Sequence, residues 1–185
     1  MPVWISMLRG VNVGPHHRIK MEALRAAYQS IALEDARTYV QSGNVIFRAK
    51  KQAPVALAKK IQGAIEGAFG FRPEVILRTT ADFKHALAAN PFFGRRDVEP
   101  SKLLITFLAS EPGPEAQAVL RSLKEYPEEL HLIGCELYIY FPDGAGKSKL
   151  PWSSLERLFK VTGTARNLNS VIKMLEMAEE LESAK

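Results

Sequence analysis

Residues 3 to 14 read Val-Trp-Ile-Ser-Met-Leu-Arg-Gly-Val-Asn-Val-Gly. The first six of these residues are almost all apolar, a pattern typical of an interior strand that is covered on both faces. From Arg9 onward the chain changes to polar side chains spaced by glycines, which is typical of a loop. A buried strand that ends in a polar loop often carries functional groups, because the sheet holds the loop in place. We therefore expect a site at the end of this strand.

Hydrophobic periodicity around this strand predicts one ferredoxin-like half. The predicted order is strand, helix, strand, strand, helix and strand, which is the βαββαβ order of that fold. A proline at position 54 and a glycine at position 70 mark the start and end of the second helix. Its predicted core face comprises Val55, Ala58, Ile61, Ile65 and Phe69. The predicted strands are residues 3–8, 36–41, 44–49 and 74–78, and the predicted helices are residues 21–33 and 54–70.

A connecting helix, residues 81–89, precedes a second run of elements in the same order. Its predicted strands are residues 102–108, 130–133, 136–141 and 161–165, and its helices are residues 114–125 and a short one from Pro151. Asn167 caps a final helix, whose predicted inward stripe is Leu168, Val171, Ile172, Leu175, Ala178 and Leu181. The sequence thus predicts an α+β protein of two ferredoxin-like (βαββαβ) halves in tandem, with antiparallel sheets, helices on one face of each sheet, and an extra C-terminal helix. The expected domains are residues 1–80, a linker of residues 81–101, and residues 102–185. The repeated order suggests a tandem duplication.

Composition restricts the class of protein. The 185 residues carry a net charge of +5, which favours anionic partners. The single cysteine, Cys135, excludes an internal disulfide and suits a reducing cytosol. No apolar run approaches the roughly 20 residues that span a bilayer, and the N-terminus lacks the pattern of a secretory signal. We expect a cytoplasmic protein with no membrane partner.

Strand directions place polar residues together at one end of each predicted half. In an antiparallel βαββαβ sheet the first strand ends where the third and fourth strands begin, so the loops at these points become neighbours. The first polar cluster, in the first half, comprises Arg9, Asn12, Gln41, Ser42 and Asn44, with Arg72 nearby. The second polar cluster, in the second half, comprises Lys147, Lys149, Arg166 and Asn167, with Ser148 between the two lysines.

The residues of these clusters indicate ligand binding and do not identify a reaction. Guanidinium groups and glycine-permitted backbone amides hold carboxylates and phosphates, so the leading hypothesis is a small anionic or nucleotide-like ligand at the first cluster, completed by the second. Adjacent His16 and His17 with one distant cysteine do not supply a metal site, and we expect neither metal nor cofactor. The Gly146-Lys147-Ser148 loop lacks the earlier glycine of a Walker A motif, because that position is Phe141.

Two alternatives stay open. The first is a nucleic-acid-binding protein that uses its basic surface and a pair of tyrosines, Tyr138 and Tyr140, which lie on one face of a strand and could stack on bases. Burial of that face is the competing interpretation of the same alternation. The second alternative is an enzyme whose catalytic group the sequence does not identify, with Ser42 or His17 as the residues beside which a pocket would matter. The oligomeric state is open.

The chain also resembles a known family. Leu-Arg-Gly-Val-Asn-Val-Gly at residues 8–14 and Tyr-Val-Gln-Ser-Gly-Asn-Val-Ile-Phe at residues 39–47 are similar to the bacterial family called "domain of unknown function 1697". Asn-Pro-Phe at residues 90–92, Ser-Lys-Leu at residues 148–150 and Thr-Ala-Arg-Asn at residues 164–167 extend the resemblance along the chain. It implies a cytoplasmic bacterial protein of two ferredoxin-like halves and no defined activity. Leu168 and Ser170 replace the tryptophan and threonine usual in that family.

Overall fold

A computed structural model describes residues 1–151 and 154–184 of the chain. These residues form eight strands and six α-helices, in the order strand, helix, strand, strand, helix, strand, helix, repeated once. The strands are β1 (Val3–Leu8), β2 (Glu34–Tyr39), β3 (Asn44–Arg48), β4 (Val75–Thr79), β5 (Leu103–Leu108), β6 (Glu129–Ile133), β7 (Glu136–Tyr140) and β8 (Gly163–Asn167). The helices are α1 (Met21–Ser30), α2 (Pro54–Phe69), α3 (Thr80–Ala88), α4 (Glu115–Ser122), α5 (Leu155–Phe159) and α6 (Leu168–Ser183). The short helix predicted from Pro151 includes two residues, Trp152 and Ser153, that lie outside the described part.

The first sheet has the order β2-β3-β1-β4 and is antiparallel throughout. Its register places Met7 opposite Asn44 and Leu8 opposite Val75. The C-terminal end of β1 therefore lies beside the N-terminal ends of β3 and β4, at the same end of the sheet. This is the arrangement that the strand directions predicted, and β1 is interior as expected.

The second sheet repeats the first, with the order β6-β7-β5-β8 and antiparallel pairing. Corresponding backbone contacts recur in the two sheets. Leu8 N–H donates to the carbonyl of Gly43 at 2.9 Å, and Leu108 N–H donates to the carbonyl of Cys135 at 2.8 Å. The predicted fold class, two ferredoxin-like halves with a C-terminal helix, is thus confirmed.

The first hydrophobic core lies between the first sheet and helices α1 and α2. Every residue of β1 is buried, and Ser6 in its middle shares a 2.8 Å hydrogen bond with the hydroxyl of Tyr28 on α1. Burial raises the pKa of Tyr28, so the pair stays neutral and tolerates the apolar surroundings. On α2 the buried stripe is Leu57, Ile61 and Ile65, whereas Val55, predicted to face the core, is 67% exposed. The reason is spacing, because Leu57 occupies the position one turn before Ile61.

The second hydrophobic core joins the second sheet to helices α4 and α5. Its buried members include Leu108, Ala116, Leu137, Phe141 and Phe159. Contacts along the chain divide it into two compact units. The first unit is Met1–Lys84 together with the residues from Lys173 onward, and the second is His85–Ile172. The division falls within α3 and within α6. No helix among residues 1–151 and 154–184 is long and apolar enough to cross a membrane.

Arg48 on β3 makes hydrogen bonds to the C-terminal end of α6. The guanidinium of Arg48, on β3, donates to the carbonyls of Leu181 and Ala184. Asp35 lies 3.4 Å from the same guanidinium. The last carbonyls of a helix have no partner within the helix, and a cation there also offsets the partial negative charge of the helix end. Arg48 therefore fixes where α6 ends.

Replacing Arg48→Met should detach this helix end while keeping the aliphatic volume. We expect a loss of about 2 kcal/mol in the free energy of unfolding, because charge-assisted hydrogen bonds are removed. Amide hydrogen exchange in the last turn of α6 should accelerate. The control is Arg37→Met, since Arg37 lies 3.8 Å from Glu180 with both side chains substantially exposed. Such surface pairs contribute little, so equal losses from the two variants would contradict the assignment.

Candidate functional site

The loop after β1 and the turn before β3 meet through one side chain, that of Asn12. Its amide nitrogen donates to the carbonyl of Gln41 at 2.7 Å and to the carbonyl of Ile19 at 3.0 Å. Its amide oxygen accepts the N–H of Ile19 at 2.8 Å. Asn12 thus closes the loop at its base and joins it to the turn. The structure brings these parts of the first polar cluster together, as the topology predicted.

Asn44 organises the turn in a similar way. It is fully buried, and its amide nitrogen donates to the carbonyl of Tyr39 at 3.1 Å and to the hydroxyl oxygen of Ser42 at 2.9 Å. Asn44 and Ser42 therefore hold the turn in shape. Gln41 is exposed, and the group that takes part in the described contact is its backbone carbonyl.

Three residues in this region have left-handed backbone conformations. Asn12, His17 and Val40 have φ angles of 57°, 55° and 52°, which lie in the left-handed region. Asparagine tolerates this conformation, whereas a β-branched valine rarely adopts it, at a cost of about 1–2 kcal/mol. Val40 is also 49% exposed, so packing does not explain its presence. Strained residues often cluster at functional sites.

Replacing Val40→Asn should relieve this strain. We expect the free energy of unfolding to rise by about 1 kcal/mol, because asparagine adopts positive φ readily and little packing is lost. The control is Val13→Asn, at a 73% exposed valine in the neighbouring loop that lacks a positive φ. That change should stay within about 0.5 kcal/mol of zero. Chemical denaturation of both variants measures the difference, and destabilisation by Val40→Asn would show that the conformation is not strained.

A cavity of about 460 Å³ opens beside the loop that follows β1. Its walls are Arg9 and Gly10 from that loop's start, His17 from its end, and Phe71, Arg72, Pro73 and Glu74 from the segment before β4. The imidazole of His17 stacks on the ring of Phe71, with the ring centres 4.2 Å apart and the planes 16° from parallel. The cavity wall therefore contains two arginines and a stacked pair of aromatic rings.

The charges around this cavity are partly compensated. The guanidinium of Arg72 contacts Glu66 at 2.6 Å, and both side chains are about half exposed. The backbone N–H of Arg9 donates to the carbonyl of Glu74 at 3.0 Å, which fixes the loop against the start of β4. An exposed ion pair is easily rearranged, so Arg72 can turn toward an anion in the cavity at little cost.

Sequence reasoning identified only part of this cavity. Arg9 and Arg72 were expected near one another, and both line it. The sequence indicates His17 as a residue beside which a pocket would matter, and the structure places it in the cavity wall with its ring stacked on Phe71. Phe71 carried no signal, since an aromatic after a helix-ending glycine reads equally well as a core residue. Asn12, Ser42 and Asn44 build the loops next to the cavity and are not among its wall residues.

The residues of the second polar cluster have dissimilar surroundings. Lys147 and Lys149 are exposed on the loop after β7. Arg166 is buried in β8, where its guanidinium donates to the hydroxyl of Thr164 at 2.7 Å, and burial lowers its pKa to about 10. Asn167 donates to the carbonyl of Ser101 at 2.6 Å and accepts the N–H of Asn169 at 3.0 Å, so it caps α6 as predicted. A ligand role for these four residues stays a prediction.

Both tyrosines proposed for base stacking are buried. Tyr138 is fully covered and its hydroxyl donates to the carbonyl of Ala86 at 2.6 Å. Tyr140 is 8% exposed and its hydroxyl donates to the carbonyl of Asp97 at 3.2 Å. Burial also raises the pKa of Tyr138. Their rings are therefore not available to stack on bases, and burial was the correct interpretation of the alternation in β7.

The Asn-Pro-Phe motif has a structural role in the second unit. The ring of Phe92 contacts His131 edge-on at 5.3 Å, and the guanidinium of Arg95 lies 5.4 Å from the centre of the same ring. Arg95 also pairs with Asp97 and Glu129, and this pairing lowers the pKa of both carboxyls. The motif thus fastens the linker before β5 to strand β6.

Metal ligation has no support in the described residues. Within residues 1–151 and 154–184, no three histidine, cysteine, aspartate or glutamate side chains converge as a metal site would need. The thiol of Cys135 is half-buried, and its backbone carbonyl accepts the Leu108 contact described above.

Comparison with known proteins gives a family and a fold. A family model described as "Protein of unknown function (DUF1697)" matches residues 1–138. No curated protein matches the chain. The solved structure of the conserved bacterial protein SP0830 from Streptococcus pneumoniae is similar, with a TM-score of 0.66, 22% sequence identity, and coverage of 96% of this chain and 98% of that one. At that identity the likeness concerns the fold alone.

Proposed function

Because the chain belongs to the DUF1697 family of proteins of unknown function, we propose its role from the site itself: the protein binds a small anionic, nucleotide-like ligand in the cavity beside β1. The observation that carries the proposal is that Arg9, Arg72 and the stacked rings of His17 and Phe71 line one cavity of about 460 Å³. That volume lies within the range of small-molecule sites.

The chemistry of the walls supports a phosphate or carboxylate. Guanidinium groups bind such anions bidentately, and Gly10, with a φ angle of 71°, lets the backbone approach a ligand without a side chain in the way. The flat surface of His17 on Phe71 suits a planar ring attached to the anion. A nucleoside monophosphate offers both groups in one molecule.

The loops beside the cavity support the same proposal. Asn12 and Asn44 use their side chains to fix the backbone of the loop after β1 and of the adjacent turn, so this part of the wall is held in place before a ligand arrives. A preorganised site binds with a smaller loss of conformational entropy than a flexible one. The strain at Val40 is consistent with a site that keeps its shape at some expense of stability. The proposal has two further parts: the residues of the second polar cluster also bind an anion, and the protein is cytoplasmic.

Thermal unfolding in the presence of adenosine monophosphate, inorganic phosphate and adenosine tests the proposal. We expect the monophosphate to stabilise the protein most, phosphate less, and adenosine least. At a ligand concentration of 100 times the dissociation constant the gain is about 2.7 kcal/mol, which a thermal shift detects.

Matched variants locate the effect. Arg9→Gln and Arg72→Gln should each weaken the stabilisation by the monophosphate roughly tenfold in apparent affinity, the loss of one charge-assisted contact. Arg18→Gln, an exposed arginine on the same loop that is not a wall residue, should leave it unchanged. Absence of stabilisation by every phosphate compound would contradict the proposal, as would equal effects of all three variants.

A further inference from the structure

A second cavity lies in the second unit, between helix α4 and the edge strand β6. Its volume is about 580 Å³, which also falls within the range of small-molecule sites. Its walls combine leucines with charged residues. Those that matter are three leucines, Leu120, Leu130 and Leu132, and three charged residues, Arg121, Lys124 and Glu128.

Glu128 is the unusual member of this wall. It is only 8% exposed, although glutamate is almost never buried without a partner. Its Oε1 accepts a hydrogen bond from the hydroxyl of Ser148, and that hydroxyl in turn accepts the N–H of Leu150 at 3.0 Å. The carboxylate is thus held by the Ser-Lys-Leu segment, which gives that motif a function in the structure.

The other carboxylate oxygen has no such partner. Within the described residues, Oε2 of Glu128 is buried and accepts no hydrogen bond. The neighbouring carboxylate, Glu129, differs because it pairs with Arg95 at 2.7 Å. A buried acceptor without a donor destabilises the folded state, and more so when the group is charged. Because this oxygen is itself covered, a donor from outside the chain would remove the penalty once the side chain turns the oxygen toward the cavity.

We propose that the cavity between α4 and β6 binds a small amine, whose ammonium group donates to Glu128 and whose apolar body lies on the leucines of the wall. An ammonium is the matching group because a carboxylate only accepts hydrogen bonds, and opposite charge strengthens the contact. Ser148 holds Oε1 of the carboxylate, so Oε2 is the oxygen left for the ligand. Arg121 and Lys124, both exposed, are available to a carboxylate on the same ligand. The amine is therefore either free or part of an amino acid.

Three probes with one branched hydrocarbon body separate these sources. Isoamylamine carries the ammonium alone, leucine carries ammonium and carboxylate, and 4-methylpentanoate carries the carboxylate alone. Binding to the full chain is measured by ligand-observed nuclear magnetic resonance and calorimetric titration at millimolar concentration. We expect isoamylamine to bind and 4-methylpentanoate not to bind. Tighter binding of leucine identifies an amino acid as the source, and weaker binding identifies a free amine.

Variants of the full chain show whether Glu128 is the acceptor. Glu128→Gln should weaken amine binding at least roughly tenfold, because the charge-assisted contact is lost. Glu125→Gln, at an exposed glutamate nearby, should leave binding unchanged. Ser148→Ala keeps the charge and removes its support, so it should weaken binding less than Glu128→Gln does. Circular dichroism confirms that each variant is folded, and Ser148→Ala serves as the test if Glu128→Gln is not.

Three results would overturn the proposal. These are no binding of isoamylamine or leucine to the unmodified protein, binding of 4-methylpentanoate as strong as that of the amine, and amine binding that survives in both Glu128→Gln and Ser148→Ala. None of these results bears on the phosphate site beside β1, since the two cavities have no wall residue in common.

Discussion

Replacing Gly43→Ala is expected to destabilise the protein by about 2–4 kcal/mol. Two effects add at this position. The φ angle of Gly43 is 74°, which an alanine adopts at a cost of about 1 kcal/mol. A Cβ built there would also lie 2.9 Å from the Cβ of Leu8. Leu8 is 1% exposed at the end of the interior strand β1, so it cannot move aside without disturbing the core.

Two further glycines separate these effects. Gly10 has a φ angle of 71° and open space around it, so Gly10→Ala should cost only the conformational part, about 1 kcal/mol. Gly63 lies within α2, without positive φ and with open space, so Gly63→Ala should stabilise by about 0.5–1 kcal/mol. Urea denaturation gives all three values. Equal losses in the free energy of unfolding from Gly43→Ala and Gly10→Ala would contradict the close contact between this turn and Leu8 of β1.

The second large effect is expected from Asn12. Replacing Asn12→Gly keeps the backbone conformation available and removes the side chain alone. Its three hydrogen bonds, two to carbonyls and one from the N–H of Ile19, contribute about 1 kcal/mol each, so we expect a loss of about 2–3 kcal/mol. The loop should also become mobile, and affinity for adenosine monophosphate should fall because Arg9 and His17 lose their fixed positions.

Two other changes sharpen this prediction. Asn12→Asp keeps the acceptor for Ile19 but places a carboxylate against the carbonyls of Ile19 and Gln41, so it should be at least as harmful as Asn12→Gly. Gln41→Ala should have little effect on stability, because its contact with Asn12 uses the backbone carbonyl. Denaturation and amide exchange in the loop measure these outcomes. A loss from Gln41→Ala as large as that from Asn12→Gly would contradict the assigned contacts.

Much of the fold follows from local sequence patterns. The apolar run at the N-terminus predicts an interior strand, and the confirmed order β2-β3-β1-β4 places it between β3 and β4. Pro54 and Gly70 bound helix α2 as expected, and Gly70 has a φ angle of 75° at the helix end. Such signals are readable because they reflect backbone preferences that do not depend on distant residues.

Other features depend on tertiary contacts and carry no local signal. On α6, Ile172 belongs to the predicted inward stripe but is 40% exposed, whereas Met174 is fully buried. Which of several apolar residues faces inward depends on the rotation of the helix about its axis where it packs, and periodicity alone does not fix that rotation. Likewise, nothing in the sequence distinguishes Glu128 from an ordinary surface glutamate, because its burial results from packing beside β6 and from Ser148, far along the chain.

The position of the candidate cavity follows from the sequence, whereas the residues that line it follow only in part. Strand directions brought the loop after β1 to the turn before β3, and the bond from Asn12 to Gln41 joins them. The polar residues chosen from the sequence are mostly those that shape the backbone. Asparagines near glycines are favoured for conformational reasons as often as for ligand contact. The wall of the cavity combines Arg9 and Arg72, which strand directions place near one another, with Phe71, which carries no such signal.

Nuclear magnetic resonance titration of the isotope-labelled protein with adenosine monophosphate is the most direct test of the proposed site. Amide shifts should change first and most at Gly10, His17 and Arg72, with saturation that adenosine alone does not reproduce. Arg18 should respond far less. Shift changes confined to Lys147 and Lys149, or no saturable change at any residue, would contradict an anion site beside β1.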